Sequence, residues 1–326
     1  MQENELINWL LEIDKENPAV RYFALRDLLG RSKDNPEVCQ ARVDIMRQGP
    51  IPTILDAQHP DGYWAKPGGG HSPSYTVTVW QIIFLAEFGA DPSDERVQKG
   101  CEYFLNHSTA ANGAFAMNRP PVPSSVVHCL NGDPLYALLQ LGYANDPRVQ
   151  EALDWQVRAI VGEGELRYYK SGTAGPGFMC AYNQGQPCAW GATKAMKALS
   201  AVPPDQRTAG IRRAIETGAD FLLSRDLTVA DYPNTDHIST TWFRFGFPLS
   251  YRCDVLETVT VLVDLGYGKD PRLSNVPSFI LDKQEDQGRW VMERSLNGKM
   301  WADIEEKGKP SKWITLRALR VLQSLV

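Results

Sequence analysis

The sequence predicts an all-α fold built from a repeated helical hairpin, and three observations carry that expectation. The piece "LQLGYANDPRVQEALDWQ" (139–156) returns as "VDLGYGKDPRLSNVPSFILDKQ" (263–284). Looser copies are "AEFGADPSDERVQKGCEYFL" (86–105) and "LLGRSKDNPEVCQARVDI" (28–45), and "LSAVPPDQRTAGIRRAIETGADFLL" (199–223) fills the remaining interval. The turn residues Gly30, Gly89, Gly142, Ala201 and Gly266 lie 59, 53, 59 and 65 residues apart, the period of a helix-pair repeat. Finally, "LDAQHPDGYW" (55–64) and "LDKQEDQGRW" (281–290) share Gln, three residues, Gly, one residue, Trp.

Each copy has a physical logic. An apolar helix stops at a glycine that takes the left-handed conformation. An Asp then caps the next helix and a Pro occupies its first turn. The Gln at the end of that second helix satisfies free backbone groups, and the Trp covers the helix end. "LNHSTAANGAF" (105–115) and "LDWQVRAIVGEGELRYY" (153–169) read as degraded versions. First helices of the pairs are expected at 19–29, 75–88, 126–141, 188–200, 251–265 and 312–325. Second helices are expected at 36–57, 94–107, 147–160, 206–224 and 271–284, with a further helix at 4–14. In the third pair the helix either starts at Asp133–Pro134 or runs through Pro134 with a kink. No linker or composition break divides the chain, so one domain over 1–326 is expected.

Composition narrows the function class. The 326 residues are 43% apolar and 22% charged with a net charge of -5, an ordinary globular profile. An acidic chain without a basic stripe is not a nucleic-acid binder. The start "MQENELINWLLEID" is acidic where a secretory signal is basic, and no apolar run reaches bilayer length. The expected location is the cytoplasm. The six cysteines are scattered through a long chain and read as thiols or ligands rather than a disulfide framework.

The Gln-x-x-x-Gly-x-Trp motif on this hairpin period resembles the QW-type repeat of the prenyltransferase and squalene-cyclase superfamily, over about residues 18–326. The resemblance implies a terpenoid-cyclase-like α/α toroid of about six hairpins. An inner ring of helices surrounds a cavity, an outer ring surrounds them, and helix 4–14 supplies the sixth outer member. It further implies an apolar, isoprenoid-like substrate. The Asp-x-Asp-Asp acid motif of class II cyclases is missing from this chain, which speaks against ordinary triterpene cyclisation.

In such a ring the loops before the inner helices gather at one mouth, and the chemistry-bearing residues of this chain cluster there. Five of the six inner helices carry an aromatic near their start: Tyr22, Trp80, Trp190, Trp242 and Trp313. With Tyr182 they are expected to line a substrate pocket, where π faces stabilise a cation. Their bland reading is core. Cys129, Cys180 and Cys188, with His128 and Asp254, are the candidates for acid–base catalysis. Single-toroid relatives use cysteines in that way on small terpene alcohols. Cys188 stands at a helix start, whose partial charge is expected to lower its thiol pKa.

Two other readings stay open. Cys129, Cys188, His237 and Asp254 can instead hold zinc, as Asp, Cys and His do in protein prenyltransferases and two Cys and a His do in lanthionine cyclases. Alternatively the chain is a non-catalytic binder of an apolar ligand. A partner subunit, as in protein prenyltransferases, or a homodimer is also open. Against these stand plain structural readings. Asp254 caps its helix; Cys39, Cys101 and Cys253 are core; His59, His71 and His107 are solvated loop residues. Arg21, Lys194 and Lys312 form helix-end salt bridges or bind an anionic substrate head. Gln58, Trp64, Gln284 and Trp290 are structural.

Overall fold

The computed structural model describes residues 2–163, 177–229 and 239–325. Its helices are α1 (Gln2–Leu11), α2 (Pro18–Phe23), α3 (Pro36–Arg47), α4 (Pro50–Asp56), α5 (Thr78–Glu87), α6 (Glu95–Ser108), α7 (His128–Gln140), α8 (Pro147–Val161), α9 (Ala189–Ser200), α10 (Ala209–Leu222), α11 (Val255–Asp264), α12 (Val276–Leu281) and α13 (Lys312–Leu325). A π-helical turn, Ala24–Leu28, extends α2.

The chain is an all-α toroid. Among the inner helices, α5 packs on α7, α7 on α9, α9 on α11, α11 on α13, and α13 returns to α2. The outer helices lie against them: α3 on α2, α6 on α5, α8 on α7, α10 on α9, α12 on α13. Helix α1 packs on α13 and α2, so the two ends of the chain meet and the ring closes. Among the described residues no helix is long and apolar enough to cross a membrane.

The hairpin turns follow their sequence logic. Gly30, Gly89, Gly142 and Gly266 all have positive φ. Ala90 N–H bonds Leu85 O, Tyr143 N–H bonds Leu138 O, and Tyr267 N–H bonds Leu262 O, each at 2.9 Å, which closes the helix end. Asp94, Asp146 and Asp270 then accept backbone N–H groups of the next turn.

The two Gln/Trp motifs share one geometry. Trp64 donates its indole N–H to Ile54 O and Trp290 donates to Ile280 O, both at 2.7 Å. The Trp64 and Trp290 backbone N–H groups reach Thr78 and Thr315 on the following inner helices. Gln58 and Gln284 close their own turns on Gly62 O and Gly288 O, and Gln58 also bonds Arg96 O at the start of α6. Outer helix, turn and next inner helix are thereby joined, and both indoles are buried.

Two boundaries differ from expectation, and the alternatives at Pro134 are resolved. The segment 36–57 is two helices, because Gly49 has φ 72° and is followed by Pro50, which lacks an N–H. A side chain at Gly49 would meet Pro18 and the Glu16 carbonyl within 3 Å. Segment 271–284 contributes only a short turn, Pro271–Leu273, and α12. Helix α7 starts at His128 and runs through Pro134.

Candidate functional site

The N-terminal ends of α7 and α9 are brought together by small residues. A Cβ on Gly191 would stand 3.1 Å from the His128 Cβ, and one on Gly132 would stand 2.4 Å from Lys194 O. The backbones therefore approach as only glycine permits. Just before α9, β1 (Met179–Cys180) pairs antiparallel with β2 (Gln186–Pro187), joined by a turn at 181–183 with Gln184 at φ 56°. Cys188 follows as the N-cap of α9; its N–H bonds Phe178 O at 2.9 Å and its sulfur accepts Gly191 N–H at 3.5 Å.

This hairpin brings the Cys180 and Cys188 thiols near one another, with Cys129 beside them. A hydrogen bond from Cys188 lowers Cys180 to about 7, with help from the Tyr182 and Asn183 backbone N–H groups and against the effect of burial. Cys188 is raised well above the usual thiol range, because it gives its hydrogen to Cys180 and because it is buried. The helix start was expected to lower Cys188; the thiol it donates to takes the charge instead. Burial pushes Cys129 up to about 12.

The adjacent aromatics group around Tyr251. Its ring lies 6.1 Å from Trp80 and 6.5 Å from Trp190, and the Arg252 guanidinium stands over Trp190 and Tyr251 at 6.0 and 5.6 Å. Trp80 is buried, with its indole N–H on His71 O. Tyr182, in the hairpin turn, is 70% exposed. His71 is held to Met117 O at 2.8 Å, so it is not a free loop residue.

The other expected site residues have structural partners. His128 is buried against α8 and Phe178, with Trp155 5.7 Å and Phe178 5.5 Å away. Its Nδ1 meets the Gln156 amide at 3.0 Å, Gln156 Oε1 accepts from Asn131, and Asn131 Oδ1 accepts the Phe115 N–H. The pair His128–Cys129 therefore divides, one residue tying α7 to α8 and the other joining the thiols. Trp242 is buried with its indole N–H on Leu227 O, the same closing role that Trp64 and Trp290 play. Arg21 pairs with Glu37, and Lys312 with Glu12 and Asp14. Cys101 and Cys253 are buried, whereas Cys39 is exposed and not core.

Asp254 corrects two expectations at once. Oδ1 accepts Glu257 N–H at 2.7 Å and Arg317 at 3.0 Å, and Oδ2 accepts Gly246 N–H at 3.1 Å and Arg317 at 3.3 Å. A fully buried carboxylate with both oxygens so engaged is the cap of α11 and the partner of Arg317, which takes it out of the proton-donor and zinc sets. His237 lies outside the described residues. Among the described residues no group of three or more His, Cys, Asp and Glu side chains is placed to hold a metal.

A cavity of about 220 Å³ opens at the other end of the ring, at the C-terminal ends of the inner helices. Tyr22, Phe23, Phe247 and Trp313 form one wall, with Trp313 stacked 3.9 Å from Phe247. Tyr22 and Trp313 are thus apart from Trp80 and Trp190. The opposite wall and floor are ionic. Lys197 and Glu257 line it, and Lys194 lies behind them. Lys194 Nζ is 2.8 Å from Glu257 Oε1 and 3.2 Å from Asp133 Oδ1; Lys197 contacts Glu257 at 3.0 Å and pairs with Glu87.

Three carboxylates here face two ammonium groups. Burial raises Asp133 to about 6 in spite of both lysines, and among the described residues neither of its oxygens has a hydrogen-bond partner. Burial also works against the Glu257 charge, yet the lysines hold it at about 2. The sequence carries one signal for this network, one or two charges inside an otherwise apolar inner helix: "CLNGDPLYALL", "GATKAMKAL", "VLETVTVLV".

No protein-family model matches the chain, and no curated protein matches it. Among solved structures it is similar to the type II terpene cyclase MstE from Scytonema, determined as a variant in complex with its substrate geranylgeranyl dihydroxybenzoate. That likeness has a TM-score of 0.45 and 15% sequence identity, and it covers 99% of this chain and 96% of that one. At such a distance it carries no information about the reaction.

Proposed function

We propose that the chain is an acid–base enzyme acting on an apolar, isoprenoid-like substrate at the thiol end of the ring. Cys180 is the base, Cys188 the acid, and Cys129 the third member of the group. The observation that supports this reading is a pair of neighbouring thiols on one hairpin whose pKa values are driven apart, the pattern by which one pair serves both roles near neutral pH.

The chemistry balances for dehydration of a terpene alcohol. Cys188 gives its proton to the hydroxyl, the C–O bond breaks, and water leaves. The Cys180 thiolate takes a proton from the neighbouring carbon, and the C–H electrons become the new C=C bond. The proton on Cys180 then passes to Cys188, which restores both groups. The π faces of Trp190 and Tyr251 supply the environment for the positive charge that develops between these steps.

The test is turnover of a series of allylic terpene alcohols of increasing length, with diene products read by gas chromatography. Cys180→Ala and Cys188→Ala are each expected to lower the rate by about 10²–10⁴-fold, while Cys39→Ala leaves it unchanged. Diene formation that survives Cys180→Ala, or no diene from any alcohol of the series, removes the proposal.

A further inference from the structure

We infer that the cavity walled by Trp313 and Glu257 is a binding site for a neutral, flat aromatic molecule of one or two rings that carries an N–H or O–H donor. Its volume is about 220 Å³. Roughly 150 Å³ is enough to admit benzene, so the space suits a ring with a substituent or a second fused ring. The inference does not rest on the thiol chemistry.

Three features of the lining define the ligand. The first is the aromatic wall, where Trp313 and Phe247 stack at an interplanar angle of 18° and Tyr22 and Phe23 adjoin them. The Trp313 indole N–H is already donated to Asn17 Oδ1 at 3.0 Å, so this side chain offers a ligand only its ring carbons. Such a wall takes another flat ring.

The second feature is charge. Every charged side chain on the lining already has an opposite partner. Lys197 pairs with Glu87 and Glu257, Arg26 with Asp27, and Arg320 with Asp264. Arg317 and Arg42 reach outside the lining to Asp254 and Asp91. A charged ligand would have to take an ion from its partner, which is costly for side chains as buried as Lys197, Arg317 and Glu257. The lining therefore selects a neutral molecule.

The third feature fixes the polar group. Glu257 is 5% exposed, and its Oε1 accepts from Lys194 at 2.8 Å and from Lys197 at 3.0 Å. Its Oε2 has no hydrogen-bond partner among the described residues. A buried carboxylate oxygen without a donor is unfavourable, and a donor from the ligand would satisfy it. A molecule with its ring on Trp313 and its N–H or O–H on Glu257 meets all three conditions.

The test is equilibrium dialysis of the intact chain, with free and retained ligand read by liquid chromatography. The probes are indole, benzofuran (the same shape with oxygen in place of N–H), tryptamine and indole-3-acetate. Indole is expected to be retained at about one equivalent. It is expected to bind about 10–100-fold more tightly than benzofuran, the span of one hydrogen bond to a charged acceptor. Both charged relatives are expected to bind more weakly than indole. No retention of indole, equal binding of benzofuran, or tighter binding of either charged relative overturns the inference. Two variants locate the site. Glu257→Gln is expected to narrow the gap between indole and benzofuran. Ala86 is half-buried on the same lining, and Ala86→Phe is expected to fill the cavity and abolish binding. Full retention of indole by a folded Ala86→Phe chain overturns the inference. The indole and benzofuran comparison uses the native chain, so it decides the matter even where a variant fails to fold. Failure here leaves the thiol chemistry untouched.

Discussion

Two regions of the helical ring hold buried ionisable groups in different ways. In one, Asp133 and Lys194 at the middle of α7 and α9, Lys197 and Glu87 toward the ends of α9 and α5, and Glu257 in the first turn of α11 meet as ions. Opposite charge does most of the work there, and Glu257 stays ionised although it is buried. In the other, at the N-terminal ends of α7 and α9, Cys129, Cys180 and Cys188 meet, and the first two effects on Cys180 are a hydrogen bond from a neutral thiol and the opposing cost of burial. A full charge in a low-dielectric interior needs a fixed partner, and such an arrangement is rigid. Thiols exchange one proton at small cost, so that end of the ring is the better place for chemistry.

The largest effect that would break this comparison lies in the ionic network. Lys194 is fully buried between Asp133 and Glu257. Lys194→Ala leaves three carboxylates facing one ammonium, that of Lys197, together with a cavity. A loss of about 3–5 kcal/mol in folding stability is expected, measured by urea denaturation. A loss under about 1 kcal/mol would mean that water solvates the floor, and that its ions are not a rigid device.

Folding was more legible in the sequence than the site was, for a reason these residues make plain. Gly89, Asp94, Gln58 and Trp64 act on backbone groups close by, so their spacing records their roles. The break at Gly49–Pro50 was equally local, but a repeat pattern drawn across it hid the stop. The Lys194–Glu257 pair spans 63 residues, and nothing in the chain between them records that they touch. The gathering of thiols could be read from helix order alone. Which thiol carries the charge could not, since that depends on a hairpin two residues wide. Asp254 looked reactive because it opens an inner helix; its partner Arg317 comes from the last helix.

A smaller effect sharpens the comparison through pH. Asp133 titrates at about 6 in the folded chain against 3.8 ordinarily. Between those values the folded chain holds a proton that the unfolded chain has released. Stability from this group therefore falls as pH rises through that window, by at most about 1.4 kcal/mol per pH unit. Glu257 works the other way, since its folded value of about 2 lies below 4.5, and its contribution is lost as pH falls below 4.5. Asp133→Asn removes the first effect only. The stability difference between the native chain and this variant is expected to decline from pH 4 to 6 and to level off above. A difference that is constant over that range would place the proton elsewhere in the network.

The smallest effect concerns His128, which borders the thiols in sequence and whose ring lies between Trp155 and Phe178. If its role is to tie α7 to α8, then its partner Gln156 matters to stability and not to reactivity. Gln156→Ala removes the hydrogen bond that Asn131 donates and the one that reaches His128 Nδ1. Both partners stay buried, so a cost of about 1–3 kcal/mol is expected from the two lost hydrogen bonds. The rate at which Cys180 reacts with iodoacetamide, followed from pH 5 to 9, should keep its midpoint near 7, because that midpoint is set by Cys188 and the 181–183 turn. A variant with unchanged stability and a shifted midpoint would reverse the assignment. His128 would then belong with the thiols, and the polar chain through Gln156 and Asn131 would be the means by which α8 tunes them.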